Sequence, residues 1–431
     1  MKDINIALLG FGTVGSGVVK AINENSSIIE EQLGCKLVIK YILVRNINKY
    51  KGNELLGNIQ LTDSFEDIIG DDSLDIVVEV MGGISPAKEY IFSAMEKHIS
   101  VVSANKDLVA LYGPEIIHKA IEKHVNFSCE ASVGGGIPIL MPLHQSLAAN
   151  QIESIVGILN GTTNYILTQM TETGQSYENA LKSAQEAGFA EADPTNDVCG
   201  FDAARKLAIL SSIGFRANVT FDDVVVEGIT EISQNDIKYA KEMGYTIKLL
   251  TVALRQEDGI ALNVYPAFVP TNHPMASVKG AYNAIYVTGN IVNDVMFYGS
   301  GAGSLPTASA VLGDVISTAH HILNGTTGTG MIMTDTKRIP FHSSRKLKDS
   351  YYFRLIVDDV PGVLSQIAAA FADNGISIKE VVQKQRMEGT AELVIITEST
   401  ERENILQVEK DLEVLSCIRK VANIIRVMEN E

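Results

Sequence analysis

Two hydrophobic periods alternate through the first 130 residues of the chain. Apolar, β-branched runs of strand length fall at 4–10 (INIALLG), 36–44 (KLVIKYILV), 75–83 (DIVVEVMGG), 99–106 (ISVVSANK) and 125–132 (VNFSCEAS). Between them, 13–33, 86–97 and 113–124 repeat apolar positions at helical spacing. Nearly continuous apolar strands separated by helices predict βαβ units and a parallel, doubly wound sheet, whose ligands gather at the carboxyl ends of the strands. From about 134 to 308 the pattern changes. Longer helical stretches (SYENALKSAQEAG, FDAARKLAILSSIG, SQNDIKYAKEMG) mix with strands (IKLLTVALRQ, ALNVYPAFV), predicting a separate α+β unit. A glycine-rich segment then leads into an apolar helix near 306–323, placed to pack back on the first domain.

Residues 336–350 (TKRIPFHSSRKLKDS) are polar and basic, with little to bury, and read as a linker. Beyond it, 351–431 runs strand, helix, strand, turn, strand, helix, strand, the βαββαβ order of the ferredoxin-like plan. The fold class expected is therefore α/β: a Rossmann-type domain over 1–133, completed by about 309–335, an α+β domain over 134–308, and a small C-terminal domain over 351–431. The length of 431 residues suits two or three such units.

Composition narrows the partners. Hydrophobic residues at 46% and charged residues at 20% describe a soluble globular chain with ample core. A net charge of -17 argues against a nucleic-acid partner, while leaving room for a local basic pocket for one small anion. Asp3 and the glycines at 10 and 12 interrupt any export signal, and no run approaches the roughly 18 uncharged apolar residues of a membrane helix. Cys35, Cys129, Cys199 and Cys417 lack CxxC spacing, so neither a zinc site nor a disulfide framework is indicated, and a reducing cytoplasm is expected.

Four clusters can carry chemistry. In ALLGFGTVGSGVVKAI, Gly10, Gly12 and Gly15 form G-x-G-x-x-G between a strand and a helix, the pattern of a dinucleotide site whose pyrophosphate rests on the helix N-terminus. Gly10 permits the tight turn, Gly12 the approach of pyrophosphate and Gly15 close packing of helix on strand. Residues 36–53 contain no acid for the ribose hydroxyls of NAD and hold Arg45, with Lys49 and Lys51 nearby, which suits a 2′-phosphate. NADP is favoured and NAD stays possible; a solvated Arg45 is the plain alternative. In the second cluster, Ser103, Asn105 and Lys106 follow a strand end, where an ammonium can stabilise an alkoxide or hold a carboxylate, or be an ordinary surface lysine. In the third, CEASVGGGIPILMPL, a three-glycine bend beside Glu130 suits a hard cation held by backbone carbonyls and one carboxylate, or a hinge.

The fourth cluster is FAEADPTNDVCGFDAARK, 189–206. Asp193, Thr195 and Asp197 resemble the start of a calcium loop, but Gly200 is displaced and the closing Glu is missing. Asp202 and Lys206 stand four apart on a helix, hence on one face, with Glu191 in the preceding loop. They make either a pocket for an ammonium group or an exposed ion pair worth a few tenths of a kcal/mol.

Taken in order, GFGTVGSGV, VVEVMGG, VVSANK, EASVGGGIPI, GILNGTTNYIL, FAEADPTNDVCGFDAARKLAIL and GSGAGSLPTASAVLGDV resemble the homoserine dehydrogenase family along the whole chain, in its monofunctional form. The resemblance implies reversible, NAD(P)H-dependent reduction of L-aspartate 4-semialdehyde to L-homoserine, on the route to threonine, methionine and isoleucine. It implies that Lys206 donates the proton to the aldehyde oxygen, with Lys106 as a second lysine in substrate or proton handling. It places the substrate and its amino group on Glu191 and Asp202. The cofactor then lies against Gly10, Phe11, Gly12, Thr13, Val14, Gly15, Arg45, Gly82, Ser103, Lys106 and Gly301. A structural sodium ion is implied at Glu130 and the backbone oxygens of Val133, Gly135 and Ile137. The C-terminal domain resembles an ACT domain, with DDVPGVLSQIAAAFADNGISI as its recognisable half, implying an amino-acid effector, expected to be threonine, at Asp359, Pro361, Gly362, Val363, Leu364, Asn374, Gly375 and Ile376. A homodimer or homotetramer follows from the same resemblance, with dimerisation through the middle domain. Two other readings compete: an aspartate-semialdehyde dehydrogenase, which needs a nucleophilic cysteine such as Cys129 or Cys199, and a catalytically dead amino-acid sensor.

Overall fold

The computed structural model describes residues 2–257, 259–329, 340–341, 347–387 and 389–429. Most of the expected linker, 336–339 and 342–346, lies outside the described residues, as do 330–335 of the segment expected to complete the first domain. Contacts divide the chain into two compact units: Met1–Ile155 with Arg205–Asp223 and Asn283–Ile339, and Val156–Ala204 with Val224–Tyr282 and Pro340–Glu431.

The first unit contains the parallel sheet that the apolar runs predict. Its strands are β1 (Ile4–Leu9), β2 (Leu37–Leu43), β3 (Gln60–Thr62), β4 (Ile76–Glu79), β5 (Ser100–Ser103) and β6 (Phe127–Ser128), in the order β3-β2-β1-β4-β5-β6. Every neighbouring pair is parallel. The order reverses between β1 and β4, which opens a crevice at their carboxyl ends where such folds bind dinucleotides. On one face Ile4, Ile6 and Leu8 share a core with Val18, Val19 and Ile22 of helix Thr13–Leu33 and with Val311, Leu312, Val315 and Ala319 of helix Ser304–Leu323. The helix expected at 113–124 starts earlier, at Lys106, and runs to Glu122 through Pro114. Proline in a helix removes a hydrogen bond, yet Leu108 and Val109 before it and Ile116, Ile117 and Ala120 beyond it keep one buried face.

In the second unit, strands Tyr245–Gln256 and Gly259–Pro270 pair antiparallel over their whole length, and every position of the latter is buried. The C-terminal residues form the predicted βαββαβ module: Lys348–Asp358, Val363–Asp373, Ile378–Met387, Thr390–Thr397, Arg402–Glu413 and Ile418–Val427. Its strands pair antiparallel, with 348–358 between 418–427 and 390–397, and 378–387 at the edge. Residues 351–429 belong to the same compact unit as 156–204 and 224–282. Strand Ile418–Val427 pairs in parallel with Gly259–Pro270 through Ala267 opposite Arg426 and Phe268 opposite Val427. Tyr352 also packs on Phe268 with ring centroids 4.5 Å apart.

A buried ionic cluster ties the module to helix Gln234–Glu242. Arg354 Nε donates to Asp236 Oδ1 at 2.7 Å, its Nη1 to Glu392 Oε1 at 3.1 Å and its Nη2 to Ser233 Oγ at 3.0 Å. Tyr352 and Asn423 donate to Asp236 as well, and Tyr239 donates to Glu392 at 2.7 Å. Burial alone raises Asp236, but the Arg354 bonds outweigh it and leave the carboxyl below the usual range.

Candidate active site

The loop between β1 and the first helix has the stereochemistry that a phosphate needs. Gly10 adopts φ of 106°, which only glycine takes readily, and a Cβ on Gly15 would collide with the Gly10 carbonyl. Gly12, the N-cap residue, has an ordinary φ of -86°, and a Cβ there would meet no heavy atom within 4 Å. What glycine contributes at position 12 is therefore open space above the helix N-terminus. No acidic side chain occupies the first turn, so the positive end of the helix dipole is left for an anion. Phe11 is buried edge-on against Tyr50, with centroids 5.2 Å apart, and Val14 packs on the core. Thr13 is exposed at the first helical position, and Arg45 is exposed just past the end of β2.

At the ends of β4 and β5 a hydrogen-bonded chain organises the second cluster. Glu79, wholly buried, accepts from Met81 N, Gly82 N and, at 2.6 Å, Ser103 Oγ. Burial pushes its carboxyl up, against these bonds. Ser103 Oγ in turn accepts from Asn105 N, while Asn105 donates to Gly83 O at 2.6 Å and caps the next helix through Leu108 N. The Ser103 hydroxyl is thus engaged both as donor and as acceptor within the protein. Lys106 is the first residue of that helix, where the dipole disfavours a cation by a few tenths of a kcal/mol or more.

Glu130 is buried and fully engaged. Its carboxylate accepts from the backbone N–H groups of Ile139, Leu140 and Met141, capping a turn, and its own N–H donates to Asp314 at 2.8 Å. Burial, together with nearby Glu130, pushes Asp314 up to about 8 against the pull of that N–H. The carboxylate is therefore turned to the 139–141 backbone. The glycine bend itself is tight: Gly134 and Gly135 have positive φ, and a Cβ on Gly135 would run into Gly301. Gly301 thus lies against the bend. Among the described residues, no group of three or more His, Cys, Asp or Glu side chains is arranged to hold a metal ion.

The acidic stretch forms a loop, the short helix Thr195–Val198 and then helix Phe201–Gly214. Asp193 closes its own turn by accepting from Thr195 N and Oγ1 at 3.1 and 2.6 Å, an Asx turn in place of a calcium ligand. Asp202 is buried in the first turn of the long helix, and Lys206 follows one turn later. Asn160 donates to Asp202 Oδ2 at 3.0 Å and to Asp197 Oδ1 at 2.7 Å, so the structure brings these two carboxylates together. Glu191 is exposed in the preceding loop, where its carbonyl accepts from Gln185.

Three family models match the chain: homoserine dehydrogenase over 138–316, the homoserine dehydrogenase NAD binding domain over 10–130, and the ACT domain over 351–417. A homoserine dehydrogenase of Bacillus subtilis is 40% identical across 100% of this chain and 99% of its own length. The structure of a homoserine dehydrogenase from Thiobacillus denitrificans superposes with a TM-score of 0.94 at 38% identity, covering 99% of both chains. The chain belongs to the homoserine dehydrogenase family. A hyperthermophilic archaeal homoserine dehydrogenase in complex with NADPH is 27% identical, with a TM-score of 0.63, over 74% of this chain and 98% of that one.

Homoserine dehydrogenases are NAD(P)-dependent oxidoreductases acting on a CH–OH group, and the dinucleotide loop described above suits that chemistry. The competing thiol chemistry finds no support at Cys129, because burial, with Asp314 and Glu130 nearby, pushes that thiol far up, whereas a nucleophile needs thiolate. In the ACT domain, Gly362 has φ of 95° and caps helix Val363–Asp373, and Leu364 is exposed beside it. Asp359 and Pro361 lie in the loop before this helix. Val363 and Ile376 are buried in the module's core. Asn374 is engaged with Ala370 O and Asp411, and Gly375 takes positive φ in the turn. No described helix is long and apolar enough to cross a membrane. Sequence reasoning missed Asn160, Glu79 and the pairing of Asp197 with Asp202. An Asn before Gly-Thr-Thr is a helix N-cap signal that could have placed Asn160 beside the loop.

Proposed function

We propose that this homoserine dehydrogenase reduces L-aspartate 4-semialdehyde with NADPH in preference to NADH, using Lys206 as the proton donor. The observation that carries this is Asp202, buried one turn ahead of Lys206 on helix Phe201–Gly214 and oriented with Asp197 of the preceding short helix by the Asn160 amide. Asp202, with Glu191, binds the substrate ammonium; Lys206 hands a proton to the oxygen as it gains charge, and Lys106 stabilises that charge from the start of its helix. A bound nicotinamide supplies the hydride. The helix N-terminus above Gly12 holds the pyrophosphate, and Arg45 receives the 2′-phosphate. Gly10, Gly15 and Gly82 shape the surface on which the dinucleotide lies. A sodium ion at the glycine bend is held by the backbone oxygens of Val133, Gly135 and Ile137, with Glu130 contributing through its main chain, because its carboxylate serves the 139–141 backbone. The ACT domain takes threonine at the Asp359–Leu364 loop and the Asn374–Ile376 turn, in a cytoplasmic homodimer or homotetramer.

Homoserine-dependent reduction of NADP and of NAD, with and without threonine, tests reaction, cofactor and effector together. Lys206→Ala is expected to lower turnover by about two to four orders of magnitude while leaving the KM for NADP within a few-fold. Substantial retained turnover overturns the assignment of Lys206.

A further inference from the structure

Asn160 is 4% exposed and caps helix Gly161–Thr173. Its Oδ1 accepts from Thr163 N at 2.8 Å and Thr163 Oγ1 at 3.0 Å. The Thr163 N–H can only donate, so the amide cannot be flipped, and its nitrogen must face the other way. There it meets Asp197 Oδ1 and Asp202 Oδ2, two anionic acceptors on its two hydrogens. Thr162, two residues on, donates to Phe189 O at 2.6 Å, so the start of this helix grips the acidic stretch at both of its ends.

Capping needs only the oxygen. Serine, aspartate and asparagine serve about equally well at this position, so a cap alone gives no reason for an amide nitrogen aimed at two carboxylates. We propose that Asn160 is a positioning residue for the reaction: its amide nitrogen holds Asp202, with Asp197 beside it, in the orientation in which Asp202 receives the substrate ammonium. The inference rests on the assignment of Asp202 to the substrate amino group. Without the donor, two buried or half-buried carboxylates lose their common partner and turn away from each other, and the receiving geometry is lost. The ammonium is remote from the reacting carbon, so binding suffers more than turnover.

The test measures homoserine oxidation by the full-length chain for Asn160→Ser, Asn160→Asp and Asp202→Asn. Serine keeps the cap oxygen without reaching the carboxylates; aspartate keeps size and cap and replaces the donor with a third carboxylate oxygen facing Asp197 and Asp202, so repulsion adds to the loss of the bonds. The KM for homoserine is expected to rise about tenfold or more in both Asn160 variants, with kcat within a few-fold and the KM for NADP unchanged. A melting temperature near wild type in Asn160→Ser shows that the cap survives. Either Asn160 variant with a wild-type KM for homoserine overturns the proposal, as does a lowered melting temperature with unchanged KM, which is the signature of a purely structural cap. Should serine prevent folding, the aspartate variant gives the same decision. Asp202→Asn with a wild-type KM for homoserine instead overturns the assignment of Asp202, whatever Asn160 does.

Discussion

Replacing Arg354 with methionine removes one guanidinium and leaves two carboxylates buried against each other's surroundings. Arg354 makes four hydrogen bonds across the cluster, with Asp236 0% and Glu392 2% exposed. An exposed ion pair contributes at most about 1 kcal/mol, whereas removing one partner of a buried pair costs about 3–5 kcal/mol. For a compact unit of about 200 residues, that corresponds to a fall in melting temperature of roughly 6–20 °C. The loss has a pH signature. Asp236 lies below the usual carboxylate range in the folded chain, so its contribution is present above the unfolded aspartate value and is lost as pH falls through the folded one. Without Arg354 the balance passes to burial, which raises the group and makes its charged form a penalty near neutrality that protonation relieves. Thermal unfolding of wild type and Arg354→Met from pH 7.5 to pH 4.5 should therefore show the largest gap at pH 7.5 and a narrowing gap on acidification. Adding Asp236→Asn and Glu392→Gln to the variant should recover part of the loss. A melting temperature within about 2 °C of wild type at pH 7.5 would refute the view that this cluster holds the C-terminal module to helix Gln234–Glu242.

Two further outcomes separate ligand contacts from packing. Gly12→Ala should cost no more than the weaker N-cap preference of alanine, because its Cβ meets nothing, yet raise the KM for NADP; Gly15→Ala should destabilise more, because its Cβ meets the Gly10 carbonyl, and equal behaviour of the two in melting curves would contradict this. Lys248 is 3% exposed, bonded to Asn164 at 3.0 Å, and lowered to about 8 by burial and by the Lys279 ammonium, against the pull of Glu172. Folded Lys248 binds fewer protons than unfolded lysine between about 8 and 10.5, so its contribution to stability rises with pH across that window. The stability difference between wild type and Lys248→Met should grow in favour of wild type over the same range, and a flat difference would place the titration elsewhere.

The fold of the first unit was legible because its central strands β1, β4 and β5 are buried on both faces and alternate with helices, the pattern of βαβ units in a parallel sheet. The start of helix Lys106–Glu122 was obscured by Pro114, a local stop signal overridden by the buried face on either side of it. The C-terminal module separates local from non-local information. The sequence order βαββαβ is local information, and it predicted the strands of 351–429 in their right succession. Which neighbour an edge strand takes is not local: two backbone pairings, Ala267 with Arg426 and Phe268 with Val427, extend the sheet across the expected boundary. A polar linker reports only that its own residues have little to bury, and says nothing about the surfaces on either side of it.

The site divides along the same line. Glycine positions were readable because each answers to backbone geometry within a few residues, as Gly10 and Gly15 do. Side-chain roles that depend on distant partners were not. Glu130 is a carboxylate beside a glycine bend in the sequence, but residues 139–141 supply three N–H groups that a cation would have to displace. Asp197 stood in a failed calcium pattern and Asn160 in a motif 37 positions away, and only the fold sets one against the other. The helical spacing of Asp202 and Lys206 could not distinguish a binding pocket from an exposed ion pair. The burial of Asp202 and the Asn160 amide bonded to it now count against an exposed pair, since a carboxylate withdrawn from water needs a fixed donor and a group that uses its charge.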